Sequence, residues 1–424
     1  MVVVLGRGRG RRSSKGKNPI LLFLLPSSCW PAAPSLHESD HLQCDLGKGF
    51  QHASAFNQLE GMVEQALQRT TQAGHITMRA ILIRDEYGPA ENLYIGEVEQ
   101  PAPRAEQVLV KMIDEAFPSL QSQVKAFGLN RMDISQREGK YPPPPGASKI
   151  LGVEFSGIVT ELGSDVVGWK IGDEVLGLVG GGAYAEYVVA PQKNLMKKPA
   201  HLTWAEAASI PENFLTAFQA LVLIGEICAN DHVLVHAGAS GVGIAVIQLA
   251  RLYRAQTVIA TTSTEEKIRR LLSIPNGATH AANYKVEDFS AVVKHITKGH
   301  GADVVIDFVA QSHFIKNLDA MAMDGRMTML ALLSGATVHS VDLSPILFKR
   351  LRIQGSTLRS RSPAYQAELI SRLDKEVLPV ITGENGDGSV RIYIHKVYGW
   401  NEIIEAHKEM EANKNFGKIV VEVA

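Results

Sequence analysis

The run Val233-Leu234-Val235-His236-Ala237-Gly238-Ala239-Ser240-Gly241-Val242-Gly243 constrains this chain more than any other stretch. It reads as a buried strand, a glycine-rich turn and a helix start, and Ile244-Ala245-Val246-Ile247-Gln248-Leu249-Ala250-Arg251-Leu252 continues the helix. Small residues at Gly238, Ser240, Gly241 and Gly243 let the backbone turn tightly and approach a pyrophosphate. The amides and dipole of the following helix would stabilise its charge. The run therefore predicts a dinucleotide cradle that includes Val242. An ordinary tight strand-to-helix turn is the competing reading, and the flanking strand and helix weigh against it.

The next strand decides between the two nicotinamide dinucleotides. A NAD site places Asp or Glu at that strand's end, roughly 20 residues past the glycines, to hold the ribose 2′-hydroxyl. Here Thr257-Val258-Ile259-Ala260 runs into Thr261, Thr262, Ser263 and Thr264, with Lys267 just downstream. Hydroxyls in place of a carboxylate spare a 2′-phosphate its repulsion, and Lys267 lies close enough to neutralise it. The pattern predicts NADPH. A Thr/Ser helix cap followed by Glu265, Glu266 and Lys267 as a solvated first turn explains the same residues. Glu265 turned back toward the ribose would reverse the preference.

At 424 residues with 45% hydrophobic side chains, the chain can fill two cores. Its 43 Lys and Arg nearly balance 44 Asp and Glu, which gives no electrostatic warrant for nucleic acid or an acidic membrane and points to small-molecule partners. Cys29, Cys44 and Cys228 make neither a disulfide framework nor a zinc spacing, which suits a reducing compartment; Cys228 is expected as a buried or half-buried bystander. No run reaches the roughly 18 apolar residues that span a bilayer. The segment 1–77 stands apart. Arg7, Arg9, Arg11, Arg12, Lys15 and Lys17 precede the first acid, Glu38, and a short apolar patch, Ile20-Leu21-Leu22-Phe23-Leu24-Leu25, lies between Pro19 and Pro26. A mitochondrial presequence, a secretory signal with a short core, and a disordered or fold-free upstream extension are the readings left open. The expected location is cytoplasmic, or mitochondrial if 1–77 is a presequence.

From Met78 the chain turns to short β-rich runs: 79–83, 93–95, 107–111, 157–162 and 185–189. Separated by Gly/Pro turns, they predict a small, partly closed β domain. From Trp204 helix and strand alternate. A helix over 204–224 precedes the cradle strand, and strands follow at 304–308 and 326–332, so a doubly wound parallel sheet is expected. A helix over 363–377, a strand Val390-Arg391-Ile392-Tyr393, a helix from Trp400 to Ala412 and a strand over 418–423 would bring the C-terminus back to the first domain.

Several further landmarks stand in order. They are Gly88-Pro89-Ala90-Glu91-Asn92-Leu93, Gly128-Leu129-Asn130-Arg131-Met132-Asp133, Gly139-Lys140-Tyr141-Pro142-Pro143-Pro144, Trp169-Lys170-Ile171-Gly172-Asp173 and Gly180-Gly181-Gly182-Ala183-Tyr184-Ala185-Glu186-Tyr187. Ile210-Pro211-Glu212, Leu215-Thr216-Ala217-Phe218-Gln219, Asn283-Tyr284-Lys285, Leu358-Arg359-Ser360-Arg361 and Ala412-Asn413-Lys414-Asn415-Phe416-Gly417-Lys418 complete the set. From Met78 to the end the chain resembles the zinc-independent quinone oxidoreductases of the medium-chain dehydrogenase/reductase superfamily, most closely the p53-inducible branch. Zinc-dependent relatives carry a Cys in the stretch filled here by Asn130-Arg131-Met132-Asp133 and a Gly-His-Glu where Gly152-Val153-Glu154 stands, so no metal is expected. Without a Lewis acid, alcohol dehydrogenation is disfavoured, whereas an electron-poor quinone or enone needs less help.

The resemblance implies an α/β fold with three parts: an irregular extension over 1–77, a GroES-like substrate domain over 78–203 and 356–424, and a Rossmann NADPH-binding domain over 204–355. It implies that Thr216 lies against the nicotinamide, that Gly238 to Gly243 carry the pyrophosphate, and that Ser263, Lys267 and Tyr284 line the adenosine end. Leu332, Leu333 and Ser334 would border the nicotinamide, and Asn130, Asp133 and Tyr141 would face the substrate, with Tyr141 or solvent supplying a proton. Bland alternatives are Thr216 bonded to its own helical turn, Tyr284 as packing and Asp133 as a helix cap. The implied activity is hydride transfer from NADPH to a quinone or α,β-unsaturated carbonyl. The rivals are 2-enoyl thioester reduction and an NADPH-binding protein with little turnover. A homodimer through the dinucleotide domain is implied too. Two departures stand out: an insertion over about Met112 to Gln123, read either as a loop or as translated intron, and Ser273-Ile274-Pro275-Asn276, which lengthens a helix-to-strand turn.

Overall fold

The computed structural model describes residues 76–112, 125–381 and 388–423. Nearly all of the expected N-terminal extension, and the expected insertion beyond Met112, lie outside the described residues.

The first strands are β1 (Thr77–Ile83), β2 (Leu93–Glu99), β3 (Gln107–Lys111) and β4 (Lys125–Gly128). Next come β5 (Glu154–Leu162), β6 (Glu174–Leu178), β7 (Tyr187–Pro191) and β8 (Leu195–Lys197). The second set is β9 (His232–Val235), β10 (Thr257–Thr262), β11 (His280–Asn283), β12 (Ala302–Asp307), β13 (Met321–Met329) and β14 (Arg352–Gly355), followed by β15 (Ile394–Gly399) and β16 (Lys418–Val423). The α-helices are α1 (Arg131–Arg137), α2 (Trp204–Ala208), α3 (Pro211–Phe218), α4 (Gly241–Leu252) and α5 (Glu265–Ser273). They continue as α6 (Phe289–Ile296), α7 (Phe314–Ala320), α8 (Ser344–Phe348), α9 (Pro363–Glu376) and α10 (Ile403–Glu411).

Strands β9 to β14 form one parallel sheet in the order β11-β10-β9-β12-β13-β14. The central strands β9, β10 and β12 are largely apolar and buried because both faces of the sheet are covered there. Val233, Val235, Val258, Ala260, Val304 and Ile306 pack on one side with Ile244 and Ile247 of α4. Leu234, Ile259, Val305 and Met327 pack on the other with Phe289, Val293 and Leu318 of α6 and α7. Strand order reverses between β9 and β12, so a crevice opens beyond their carboxyl ends.

The other large sheet runs β15-β16-β4-β5-β3-β7, with β6 joined to β5 and β8. Strand β5 pairs with β3, β4 and β6, so the sheet branches around a core of Val110, Phe127, Phe155, Val159, Ile419 and Val421. The terminal strand β16 pairs antiparallel with β4, setting Val420 opposite Gly128. It thereby lays Lys418 beside the start of α1.

Three local expectations need correction. The helix predicted over 204–224 is broken: α2 ends at Ala208, Pro211 opens α3 where no amide donor is needed, and a π-helical turn follows from Gln219 to Ile224. No strand forms over 390–393, because the Arg391 amide donates to Gln248 Oε1 at 2.7 Å and its carbonyl accepts from Gln248 Nε2 at 2.9 Å, which satisfies the backbone without a ladder. Cys228 is exposed. The 273–276 departure ends α5 and forms the turn toward β11, as expected.

Candidate functional site

His236 holds the cradle's floor. Its Nδ1 lies 2.9 Å from Thr261 Oγ1 and its Nε2 2.7 Å from Asn317 Oδ1, while Asn317 Nδ2 donates to Asp307 Oδ2 at 3.2 Å. The ends of β9, β10 and β12 are thus tied through two buried side chains, His236 and Asn317. Burial pushes the His236 pKa down to about 4, so a neutral ring fills this place. Above it, Ser240 caps α4 by accepting from Gly243 N at 3.0 Å.

The glycines are set by close approach. A Cβ on Gly243 would lie 2.4 Å from the Ala237 carbonyl oxygen, and one on Gly241 would lie 2.6 Å from Asn213 Nδ2. A Cβ on Gly238 would lie 2.8 Å from Ala260 Cβ. These distances fix α4 against β9 and against α3. Gly241 and Val242, whose amides precede the first intrahelical bond, line the cavity beyond.

That cavity has a volume of about 430 Å³. Its lining includes Ser263, Lys267, Tyr284 and His313. Tyr284 meets the His313 ring edge-on at 5.4 Å, and burial with His236 alongside pushes the His313 pKa down to about 4. Lys267 Nζ donates to the Asn413 carbonyl at 2.7 Å, and burial lowers its pKa. Glu265 does not turn into the cavity; its Oε1 accepts from Asn283 Nδ2 at 3.3 Å. Arg131 reaches the same Asn413 through its side-chain oxygen.

The lining also includes Leu129, Asn130, Asn213, Lys418 and Ile419. Lys418 Nζ is ion-paired with Glu154 and donates to Asn130 Oδ1 at 2.7 Å. Asn130 Nδ2 donates to Glu154 Oε1, and the Glu212 amide to Glu154 Oε2, each at 2.8 Å. Gly128 makes room for this cluster, since its Cβ would lie 2.4 Å from Glu154 Oε1 and 2.6 Å from Lys418 Cε.

Of the expected residues, Asn130, Ser240, Gly241, Val242, Ser263, Lys267, Tyr284, Leu333 and Ser334 line the cavity. Gly238 and Gly243 lie behind it as packing glycines. Leu332 is 53% exposed and outside the lining. Thr216 stands one turn past the lining residue Asn213, with its Oγ1 3.2 Å from Glu212 Oε1. Tyr141 is half-buried and off the lining, with the Arg359 guanidinium 5.7 Å from its ring; burial pushes its pKa up. Asp133 is the correction. It is fully buried, and its Oδ2 accepts from the Asn130 amide at 2.8 Å and Tyr184 Oη at 3.0 Å, so it caps α1 and cannot face a substrate. Glu154, Glu212, His313 and Lys418 were not singled out for the site from sequence.

Residues 120–200 match the alcohol dehydrogenase GroES-like domain family, and residues 241–375 match the zinc-binding dehydrogenase family. A probable quinone oxidoreductase of Schizosaccharomyces pombe is 32% identical over 74% of this chain and 92% of its own length. The crystal structure of a Pseudomonas syringae pv. Tomato quinone oxidoreductase superposes with a TM-score of 0.68 at 27% identity, covering 81% of this chain and 99% of that one. JamJ enoyl reductase gives a TM-score of 0.69 at 25% identity, over 82% and 99% of the two chains. The chain belongs to the medium-chain dehydrogenase/reductase superfamily of oxidoreductases, whose members bind a nicotinamide dinucleotide.

Proposed function

We propose that the chain is an NADPH-dependent reductase that passes hydride to a quinone or an α,β-unsaturated carbonyl without zinc. The observation that carries this reading is the charge of the cavity wall. Arg131 and Lys267 line it together with the glycine cradle, Lys418 is neutralised there by Glu154, and among the described residues no carboxylate lines it. A dinucleotide with an added 2′-phosphate fits such a wall, whereas an Asp or Glu at the ribose is what NAD would call for.

The close-packed glycines and the capped α4 fit a pyrophosphate, and Ser263, Lys267 and Tyr284 would hold the phosphorylated ribose and adenine. Reduced nicotinamide, when bound, supplies the hydride. The chain's own part is to orient the acceptor near Thr216 and Leu333 and to exclude water. In place of zinc ligands, Lys418 presents an ammonium to Glu154 and Asn130, a donor set already satisfied by a cation. Among the described residues no group of three or more His, Cys, Asp or Glu is placed to hold a metal ion. We also infer a homodimer: β14 ends the parallel sheet, and Leu347 and Phe348 just before it are each 71% exposed.

Likeness to an enoyl reductase favours an enoyl thioester as a second acceptor class. The test is oxidation of NADPH and NADH by the full chain with ortho- and para-quinones, an enone and an enoyl-CoA. Turnover of quinone or enone with NADPH preferred is expected. Activity confined to enoyl-CoA moves the assignment to that class, and cofactor binding without turnover on any acceptor makes the chain a binding protein.

A further inference from the structure

We propose that Glu212 is the proton reservoir of this reduction and acts through the hydroxyl of Thr216. The inference rests on the reductase reading above and names the source of the proton that reading requires.

Glu212 occupies the first turn of α3 and is 5% exposed. The groups around it come from five other places in the fold. Glu154 on β5, Lys418 on β16, Asp133 on α1, Tyr141 after α1 and Arg359 after β14 all act on it or are acted on by it. The carboxylate paired with Lys418 is Glu154, and the ammonium's other contacts go to Asn130 Oδ1 at 2.7 Å and Asn213 Oδ1 at 3.4 Å. Among the described residues Glu212 forms no ion pair, while its own amide donates to Glu154 Oε2 at 2.8 Å and so brings a carboxylate alongside. A buried carboxyl beside an anion and without a cation of its own keeps its proton. In support, burial, and then Glu154, push its pKa up to about 8.

One contact leads outward. Thr216 Oγ1 lies 3.2 Å from Glu212 Oε1, and Thr216 is the only residue between Pro211 and Leu221 that is not buried. It sits one helical turn from Asn213, which lines the cavity.

The step balances simply. An enone that has accepted hydride at its β carbon carries the electron pair as an enolate. The Thr216 O–H bond breaks as a bond from that proton to the enolate forms, and the Glu212 O–H bond breaks to restore the hydroxyl. Glu212 is left as a carboxylate and takes its proton back from water. A reduced quinone oxyanion is far less basic than an enolate and can leave without this help.

The test compares wild type, Glu212→Gln, Thr216→Val, Thr216→Ser and Tyr141→Phe in the full chain, with NADPH and either methyl vinyl ketone or a para-benzoquinone. Wild-type kcat on the enone should fall as pH rises through about 8. Glu212→Gln should lower enone kcat about 100-fold, remove that alkaline limb and leave quinone kcat within about threefold. Thr216→Val should likewise lose the alkaline limb on the enone, with Thr216→Ser restoring it. Independently of turnover, a protonated-carboxyl infrared band that titrates near pH 8 in the cofactor-free chain should vanish in Glu212→Gln. An unchanged band, an unchanged enone profile, equal loss on both acceptors, or loss of the limb in Tyr141→Phe alone overturns the relay while leaving the reductase reading intact. A wild type inactive on both acceptors overturns that reading and the relay with it.

Discussion

Replacing Glu212 with Gln should make the protein more stable, and increasingly so as pH rises. A carboxyl ordinarily titrates near 4.5, and burial beside Glu154 moves this one to about 8. Between those values the native state holds a proton that the unfolded chain has released. The sign follows from linkage: a group whose folded pKa is raised contributes stability below its unfolded pKa and loses it as pH climbs through the folded one. Each pH unit inside the window costs about 1.36 kcal/mol, so wild type loses roughly 3 kcal/mol from this group between about pH 5 and about pH 7.5. Gln keeps an oxygen for Thr216 and cannot titrate. Urea unfolding followed by tryptophan fluorescence at both pH values measures the difference, and other titrations cancel between the two proteins. The advantage of Glu212→Gln should grow by about 3 kcal/mol over that window. Curves for variant and wild type that stay parallel with pH would refute the reasoning.

Three further outcomes follow from named contacts. Lys267→Ala should weaken NADPH binding about 10- to 150-fold, the worth of a charged hydrogen bond, and leave NADH within about twofold; calorimetric titration with each cofactor measures both. Gly243→Ala places a Cβ 2.4 Å from the Ala237 carbonyl, so α4 must shift from β9. It should cost about 1–3 kcal/mol in urea unfolding and lower affinity for both dinucleotides alike. Phe348→Asp should leave a monomer by light scattering if the β14 edge joins two copies, with wild type a dimer.

What was legible in the sequence is what is local. The strand-turn-helix of the cradle shows itself because β9 is buried on both faces and its glycines cluster within one turn. The parallel order of β9 to β14 follows from the same alternation of strand and helix. The Asn130–Glu154–Lys418 cluster is different in kind: Asn130 and Lys418 are 288 residues apart and meet only because β16 pairs with β4. Its one trace in the sequence is Gly128, whose missing side chain reads as an ordinary glycine until Glu154 and Lys418 are in place. Asp133 shares the Asn130 motif and by resemblance is expected to face the substrate, but helical geometry turns the two apart: Asn130 borders the cavity while Asp133 folds back on the Asn130 amide. The strand expected at 390–393 failed because Gln248, far away in sequence, takes over the backbone of Arg391.

The most direct test of the central claim is label transfer. The full chain is given NADPH carrying deuterium in both positions at nicotinamide C4, together with methyl vinyl ketone, and the product is read by mass spectrometry. The account predicts a saturated ketone with one deuterium on its β carbon. Reduced ketone without the label would contradict it.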